Sequence, residues 1–361
     1  MSVHEVASAG TSIWLDDLSR AKITGTDAHS LPSRIANSGV VGVTTNPSIF
    51  SGAISGAAEY SADIAAMKGA TVDDVVKKLT TDDVRQACDL FAPIYSGSKG
   101  FDGRVSIEVD PRLARDTEGT IAAGRELWSI IDRPNVMIKV PATIEGLPAI
   151  TALIAAGISV NVTLIFSVKR YGQVIEAFMK GLEQCENPSQ VHSVASFFVS
   201  RIDSTVDGLL KKSGSFEADA LLGQAAIANA HLAYQLFEEK FGAERWTALS
   251  SKGANKQRPL WASTGVKDPA YPDTLYVVEL IAPETVNTMP QSTLDALIDH
   301  GVVRGNTISG NYAEAVNVLK GLSALGISLD QITTDLEIDG VKKFAQAWEE
   351  LLENVKAAQQ Q

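Results

Sequence analysis

Only two of the 361 residues are cysteine, Cys88 and Cys185, and they lie far apart in the chain. Neither a disulfide framework nor a Cys-x-x-Cys redox motif fits that count and spacing, so a reducing compartment and two plain core thiols are expected. Histidine is equally scarce. His4, His29, His192, His231 and His300 form no metal-ligand spacing and no His-Glu-x-x-His occurs. Surface or loop positions are expected for all five. A Gly-x-Gly-x-x-Gly fingerprint and a P-loop are both missing, which removes the nucleotide-binding signatures. The expectation is an activity with no metal and no cofactor.

Long apolar runs are missing too. The most apolar stretch, Ile150 to Phe166, is interrupted by Gly157 and Asn161 and falls short of the roughly 20 residues of a membrane span. The opening MSVHEVASAG has no basic segment leading into an apolar run, so it does not read as a secretory signal. Both absences predict a cytoplasmic protein with no membrane partner. Basic residues are the minority, 31 Lys+Arg against 43 Asp+Glu, for a net charge of −12. Such a surface repels polyanions and predicts no nucleic-acid partner, and a phosphorylated ligand would need a local cationic pocket.

What remains is an ordinary globular composition, 45% hydrophobic and 20% charged, with ample side chains for one large core. Short β-branched runs alternate with longer amphipathic stretches, the pattern of repeated βα units. Strands are predicted near Ser12–Asp16, Val40–Thr45, Arg104–Val109, Val136–Val140, Ile158–Leu164, Ser193–Phe198, Leu260–Ser263 and Thr285–Met289. Apolar spacing of three and four predicts helices over Ala114–Ile131, Val168–Glu186 and Asp219–Phe241. Ser96–Gly103 and Ser250–Arg258 read as loops, as does Gly52–Gly56 after the Asn-Pro turn. Eight strands in this pattern predict a single (β/α)8 TIM barrel over residues 1–361 with additional helices. The last amphipathic segment, Val341 to Val355, predicts a C-terminal helix at about 338–356 outside the eight units, followed by a frayed Ala357–Gln361.

Buried parallel strands are almost continuously apolar, so each polar residue inside one calls for an explanation. In Val136-Met-Ile-Lys-Val140 the valines and isoleucine share one face, which turns Lys139 into the barrel. The same alternation turns Glu108 and Asp16 inward, and with them Asn161 and Thr163. Ser196 and Ser263 close their strands in the same way. Asp, Glu, Lys, Asn, Thr and Ser gathered at C-terminal strand ends mark the active face of a barrel. A lysine shielded from water there supplies a neutral amine that attacks a ketone and forms an iminium, the electron sink for carbon–carbon cleavage.

In order and spacing, Thr44-Thr-Asn-Pro-Ser-Ile49, Ser106-Ile-Glu-Val-Asp110, Ile138-Lys-Val-Pro141 and Asn161-Val-Thr163 resemble the transaldolase family. The likeness runs from Asp16 to beyond Ser263. It implies a class I aldolase barrel moving a dihydroxyacetone unit from sedoheptulose 7-phosphate to glyceraldehyde 3-phosphate, with erythrose 4-phosphate and fructose 6-phosphate as products. By the same resemblance Lys139 matches the Schiff-base lysine and Asp16 the acid/base at the C4 hydroxyl. Glu108 and Thr163 match the pair that activates a bridging water. Asn46, Asn161 and Ser196 match groups that bond the ketol unit, Phe198 lines the pocket, and Arg201 matches a phosphate clamp. One departure stands out. Family members often carry Ala-Ser-Phe-Arg where this chain reads Ala262-Ser-Thr-Gly-Val-Lys267, so Ser263 transfers and Lys267 substitutes for an arginine with a point charge rather than a fork.

Blander roles stand beside several of these residues. Asp17, next to Asp16, is expected to cap the following helix, and Arg201 has Asp203 close by as an alternative partner. The nearest rival function is a fructose 6-phosphate aldolase-like enzyme that releases dihydroxyacetone. Such relatives tend to have Gln and Tyr where this chain has Glu108 and Phe198. A metal-dependent barrel hydrolase and a noncatalytic sugar-phosphate binder are the other rivals. Phosphosugars are the expected partners of a monomer or homodimer.

Overall fold

The computed structural model describes residues 2–360. Eight strands close on themselves in chain order, each parallel to its neighbours. They are β1 (Thr11–Asp16), β2 (Val40–Thr44), β3 (Arg104–Glu108), β4 (Val136–Pro141), β5 (Val160–Ile165), β6 (Ser193–Phe198), β7 (Gln257–Ala262) and β8 (Thr285–Met289). Helices ring the barrel, so the fold is the expected (β/α)8 barrel with additional helices. Among the described residues no helix is long and apolar enough to cross a membrane.

Strands β3 to β8 are buried along their whole length. Alternation then decides what each side chain meets: Val105, Ile107, Val136, Ile138 and Val140 face the helices, and their sequence neighbours fill the lumen. In the lumen Gly42 of β2 makes room for Trp14 of β1, since a Cβ there would lie 2.6 Å from the indole. Several surrounding helices start at side-chain caps: Thr71, Asp116 and Ser167 each accept from a backbone N–H of the first turn.

The N-terminal mouth is sealed by charge rather than by apolar packing. Arg258, on the inner face of β7, donates to Phe101 O at 3.0 Å, Asp102 Oδ1 at 3.1 Å and Thr285 O at 2.8 Å. Its guanidinium also lies 3.8 Å from the centroid of Phe101. Gln257 and Arg258 therefore belong to β7, and their polarity is what made the segment read as loop.

Several other expectations shift. The strand near Ile158 starts at Val160, and the helices expected from Ala114 and Asp219 start at Thr117 and Ala225. Gly52 lies inside a helix, Pro47–Ile54, capped by Asn46. Asp17 is not a cap: Ser19 caps the helix Arg20–Thr24, and Asp17 is paired with Lys22. His231 is buried on the helix Ala225–Phe241, against the expectation of a surface or loop position. Cys88 is buried and Cys185 half-buried. The longest barrel helix, Val72–Gly97, was not anticipated from the sequence.

The C-terminal helix runs over Leu329–Gln359, well beyond 338–356. Its end is not frayed at Ala357, because Gln359 Nε2 donates to Ala70 O at 3.3 Å. Gln361 lies outside the described residues. This helix touches the helices Pro47–Ile54 and Ser200–Ser213 and strand β5, so it crosses the C-terminal mouth of the barrel.

Candidate active site

Lys139 stands on β4 between Glu108 of β3 and Asn161 of β5, its partners in register. Its Nζ donates to Glu108 Oε2 at 3.0 Å and to the backbone carbonyl of Thr45 at 2.7 Å. Beneath it a polar ladder spans the barrel: Ser196 Oγ donates to Asn161 Oδ1 at 2.6 Å, and Asn161 Nδ2 donates to Ser106 Oγ at 3.0 Å. These bonds satisfy the buried amide and fix the floor on which the lysine stands.

Asp16 ends β1 and accepts from Thr44 Oγ1 at 2.6 Å, and Thr44 Oγ1 in turn lies 2.6 Å from Thr288 Oγ1. Burial raises its carboxyl above the ordinary carboxylate range, with Lys139 and then the Thr44 bond opposing. Burial raises Glu108 as well, opposed by the charge and hydrogen bond of Lys139, while Asp16 pushes it up further. Two carboxyls that readily take a proton thus share one buried lysine. Each is thereby suited to take up and return a proton.

A cavity of about 140 Å³ opens above this group, with Asp16, Asn46, Lys139, Thr163, Phe198 and Arg201 in its wall. Ser196, Ser263 and Lys267 also reach it, whereas Asn161 stays in the floor. Asn46 Oδ1 accepts from Ile49 N–H at 3.0 Å, which leaves the Nδ2 donors to a ligand. Thr163 Oγ1 is buried with no protein partner. Glu108 faces a neighbouring cavity of about 230 Å³, which Asn46 also lines.

Arg201 follows β6 on the helix Ser200–Ser213. It does not pair with Asp203, whose carboxylate accepts from Tyr276 Oη at 2.7 Å and Ala226 N–H at 2.8 Å. Its guanidinium carbon lies 5.5 Å from the centroid of Phe198, and its Nη1 is buried without a protein partner. Burial lowers its pKa and Asp339 opposes this. Lys267 is exposed at the rim.

Ser263 reaches the site by a route that alternation does not predict. β7 ends at Ala262, which is the inward position, so the next residue would turn away. Ser263 instead takes a left-handed φ of 56°, and its Oγ comes to 3.0 Å from Ser200 Oγ. Three contributors were not singled out from the sequence: Thr44 and the Thr45 carbonyl, although both lie in the Thr44–Ile49 motif, and Phe344. Alternation along β2 would have found Thr44. Phe344 comes from the C-terminal helix and has no local signal.

The model of the transaldolase/fructose-6-phosphate aldolase family matches residues 13–355. The chain belongs to this family. It is 56% identical over 360 residues to a transaldolase 1 of Streptomyces avermitilis, covering 98% of this chain and 94% of that protein. A transaldolase of Arthrobacter sp. is 56% identical over 362 residues, covering 98% and 96%. A third, from Mycolicibacterium smegmatis, is 55% identical over 354 residues, covering 96% and 95%. The motifs that carry the family likeness are the strand ends that converge around Lys139 and Asp16.

Proposed function

We infer that the chain catalyses the transaldolase reaction, moving a dihydroxyacetone unit from sedoheptulose 7-phosphate to glyceraldehyde 3-phosphate. The observation that carries this is the buried Lys139–Glu108 pair beside a second proton-accepting carboxyl, Asp16, under a cavity with a cation at one side. Lys139 passes its ammonium proton to Glu108 and attacks the donor ketone through the free lone pair. Glu108 and Thr163 hold the water that leaves as the carbinolamine becomes an iminium. Asp16 takes the C4 hydroxyl proton as the C3–C4 bond breaks, and the aldose leaves. The electron pair of that bond moves into the iminium and gives an enamine on Lys139. The acceptor aldehyde then receives C3 while Asp16 returns the proton, and water adds to the resulting product iminium so that the C–N bond breaks, freeing fructose 6-phosphate and the Lys139 amine.

Asn46 and Ser196 bond the hydroxyls of the three-carbon unit, with Asn161 aligning Ser196 from below. Arg201, with Ser263 and the rim Lys267, holds the phosphate. A buried, unpartnered Nη1 on Arg201 supports this, because an unsatisfied guanidinium group gains most from a phosphate oxygen. Glu108 and Phe198 favour transfer over the release of free dihydroxyacetone. The same reading gives phosphosugars as small-molecule partners and a monomer or homodimer in the cytoplasm. Incubating the protein with sedoheptulose 7-phosphate and glyceraldehyde 3-phosphate should give equal amounts of fructose 6-phosphate and erythrose 4-phosphate. Free dihydroxyacetone as the main product would contradict transfer.

A further inference from the structure

The C-terminal helix is anchored on both sides of the barrel mouth. Glu337 pairs with Arg170 at 3.1 Å, and Asn354 Nδ2 donates to Ser51 Oγ at 3.1 Å on the helix Pro47–Ile54. Between these anchors Gly340 sits against Leu164 and Phe166, and a Cβ there would lie 3.0 Å from Leu164 Cδ2. The glycine lets the helix descend onto β5. One turn on, Phe344 enters the wall of the cavity, 8% exposed, with its ring centroid 5.8 Å from Lys139 Nζ. Phe198 lines the same cavity and packs at a tilt against Phe166, ring centroids 5.2 Å apart. Along the helix, Gly340, Phe344, Ala347 and Leu351 follow at spacings of three and four, an apolar stripe laid on the mouth, while the Trp348 indole beside it lines the neighbouring cavity that Glu108 faces.

We propose that Phe344 is a positioning residue that decides between transfer and release: its ring roofs the enamine on Lys139 and keeps water from it. This rests on Lys139 being the Schiff-base residue. Release differs from transfer in one event, and the roof opposes it. The enamine C3 must take a proton from water, which regenerates an iminium. Water then adds at the iminium carbon and the C–N bond breaks to give dihydroxyacetone and the free Lys139 amine, a step that transfer shares for its own product. Asp16 and Arg201 line the same cavity, and under this proposal the acceptor aldehyde is received between them, so that it reaches C3 without passing the ring. A smaller side chain at 344 admits a proton-donating water over the enamine C3, whereas the space between Asp16 and Arg201 that receives the acceptor is unchanged.

The test is a size series, Phe344→Leu, Phe344→Val and Phe344→Ala, each given fructose 6-phosphate with and without erythrose 4-phosphate. Free dihydroxyacetone and transferred product are both quantified, with circular dichroism to check the fold. The release-to-transfer ratio should climb from Leu through Val to Ala, reaching about tenfold over the unaltered chain. Should Ala not fold, the Leu and Val pair still gives the trend. A merely structural role would lower transfer and release together and leave the ratio where it was, which would overturn the proposal. Borohydride trapping on the unaltered chain separates the two ideas. Absence of a Lys139 adduct would overturn the Schiff-base reading and the roof with it, whereas an adduct with an unmoved ratio would overturn the roof alone.

Discussion

Glu108 Oε2 lies 3.0 Å from Lys139 Nζ, and the two side chains are only 4% and 6% exposed. A pair so buried is a poor source of stability, because desolvating both charges offsets most of their attraction. In the proposed mechanism its use is chemical. The carboxyl is already raised by burial and stands in line to receive the ammonium proton.

The first expectation concerns pH. Asp16 and Glu108 both have carboxyls raised by burial, and both must be ionised at the moment they accept a proton. Acidification therefore protonates them before it reaches the ordinary carboxylate range of about 4. The acid limb of kcat/KM should lie above that range, as an apparent value belonging to the coupled site. Glu108→Gln should move the limb and slow imine formation. A limb at or below the ordinary value would show that neither group controls turnover.

Asp16 and Lys139 should separate cleanly by substitution. Asp16→Asn keeps the size of the side chain and its place beside Thr44, but cannot take the C4 proton. Transfer should fall about 10²- to 10⁴-fold, while borohydride still traps the donor on Lys139. Loss of trapping together with transfer would place Asp16 in imine formation instead.

Phosphate recognition gives a third test. Arg201→Ala should lower kcat/KM for phosphorylated sugars roughly tenfold to a hundredfold, equivalent to about 1.5–3 kcal/mol. Lys267→Ala should cost less, because that lysine is exposed and must lose more freedom to engage. Parallel assays on fructose 6-phosphate and fructose decide the matter. Equal losses on both sugars would remove Arg201 from the phosphate site.

The barrel, its eight strands and the inward set of Asp16, Glu108, Lys139, Asn161, Thr163 and Ser196 were legible because strand alternation is a local property of the sequence. What stayed hidden depended on backbone excursions or on distant chain. Ser263 faces the cavity through a left-handed turn that alternation cannot anticipate. The charged Arg258 concealed the first half of β7, since its partners Phe101, Asp102 and Thr285 lie far away in sequence. Phe344 belongs to a helix whose amphipathic pattern says that one face is covered, but not by what.

Stability should respond to acid through His192. The half-buried imidazole is lowered to about 3 by burial, then by Arg104 and Arg258. A depressed histidine contributes stability that is present above its unfolded value of about 6.5 and is lost as pH falls toward its folded value. Between pH 7 and 5 the loss should be about 1–2 kcal/mol. Thermal melts of His192→Gln should show a smaller decline over that interval than the unaltered chain. Identical declines would mean that other groups set the acid response.

The most direct test is reduction with borohydride in the presence of fructose 6-phosphate, followed by peptide mass analysis. A three-carbon adduct should appear on Lys139 and on no other lysine. Lys139→Met, which fills a similar volume without a buried amine, should show no adduct and no turnover, with its circular dichroism and thermal melt still those of a folded protein. An adduct on Lys99 or Lys169, or an active preparation with none at all, would contradict imine catalysis through Lys139.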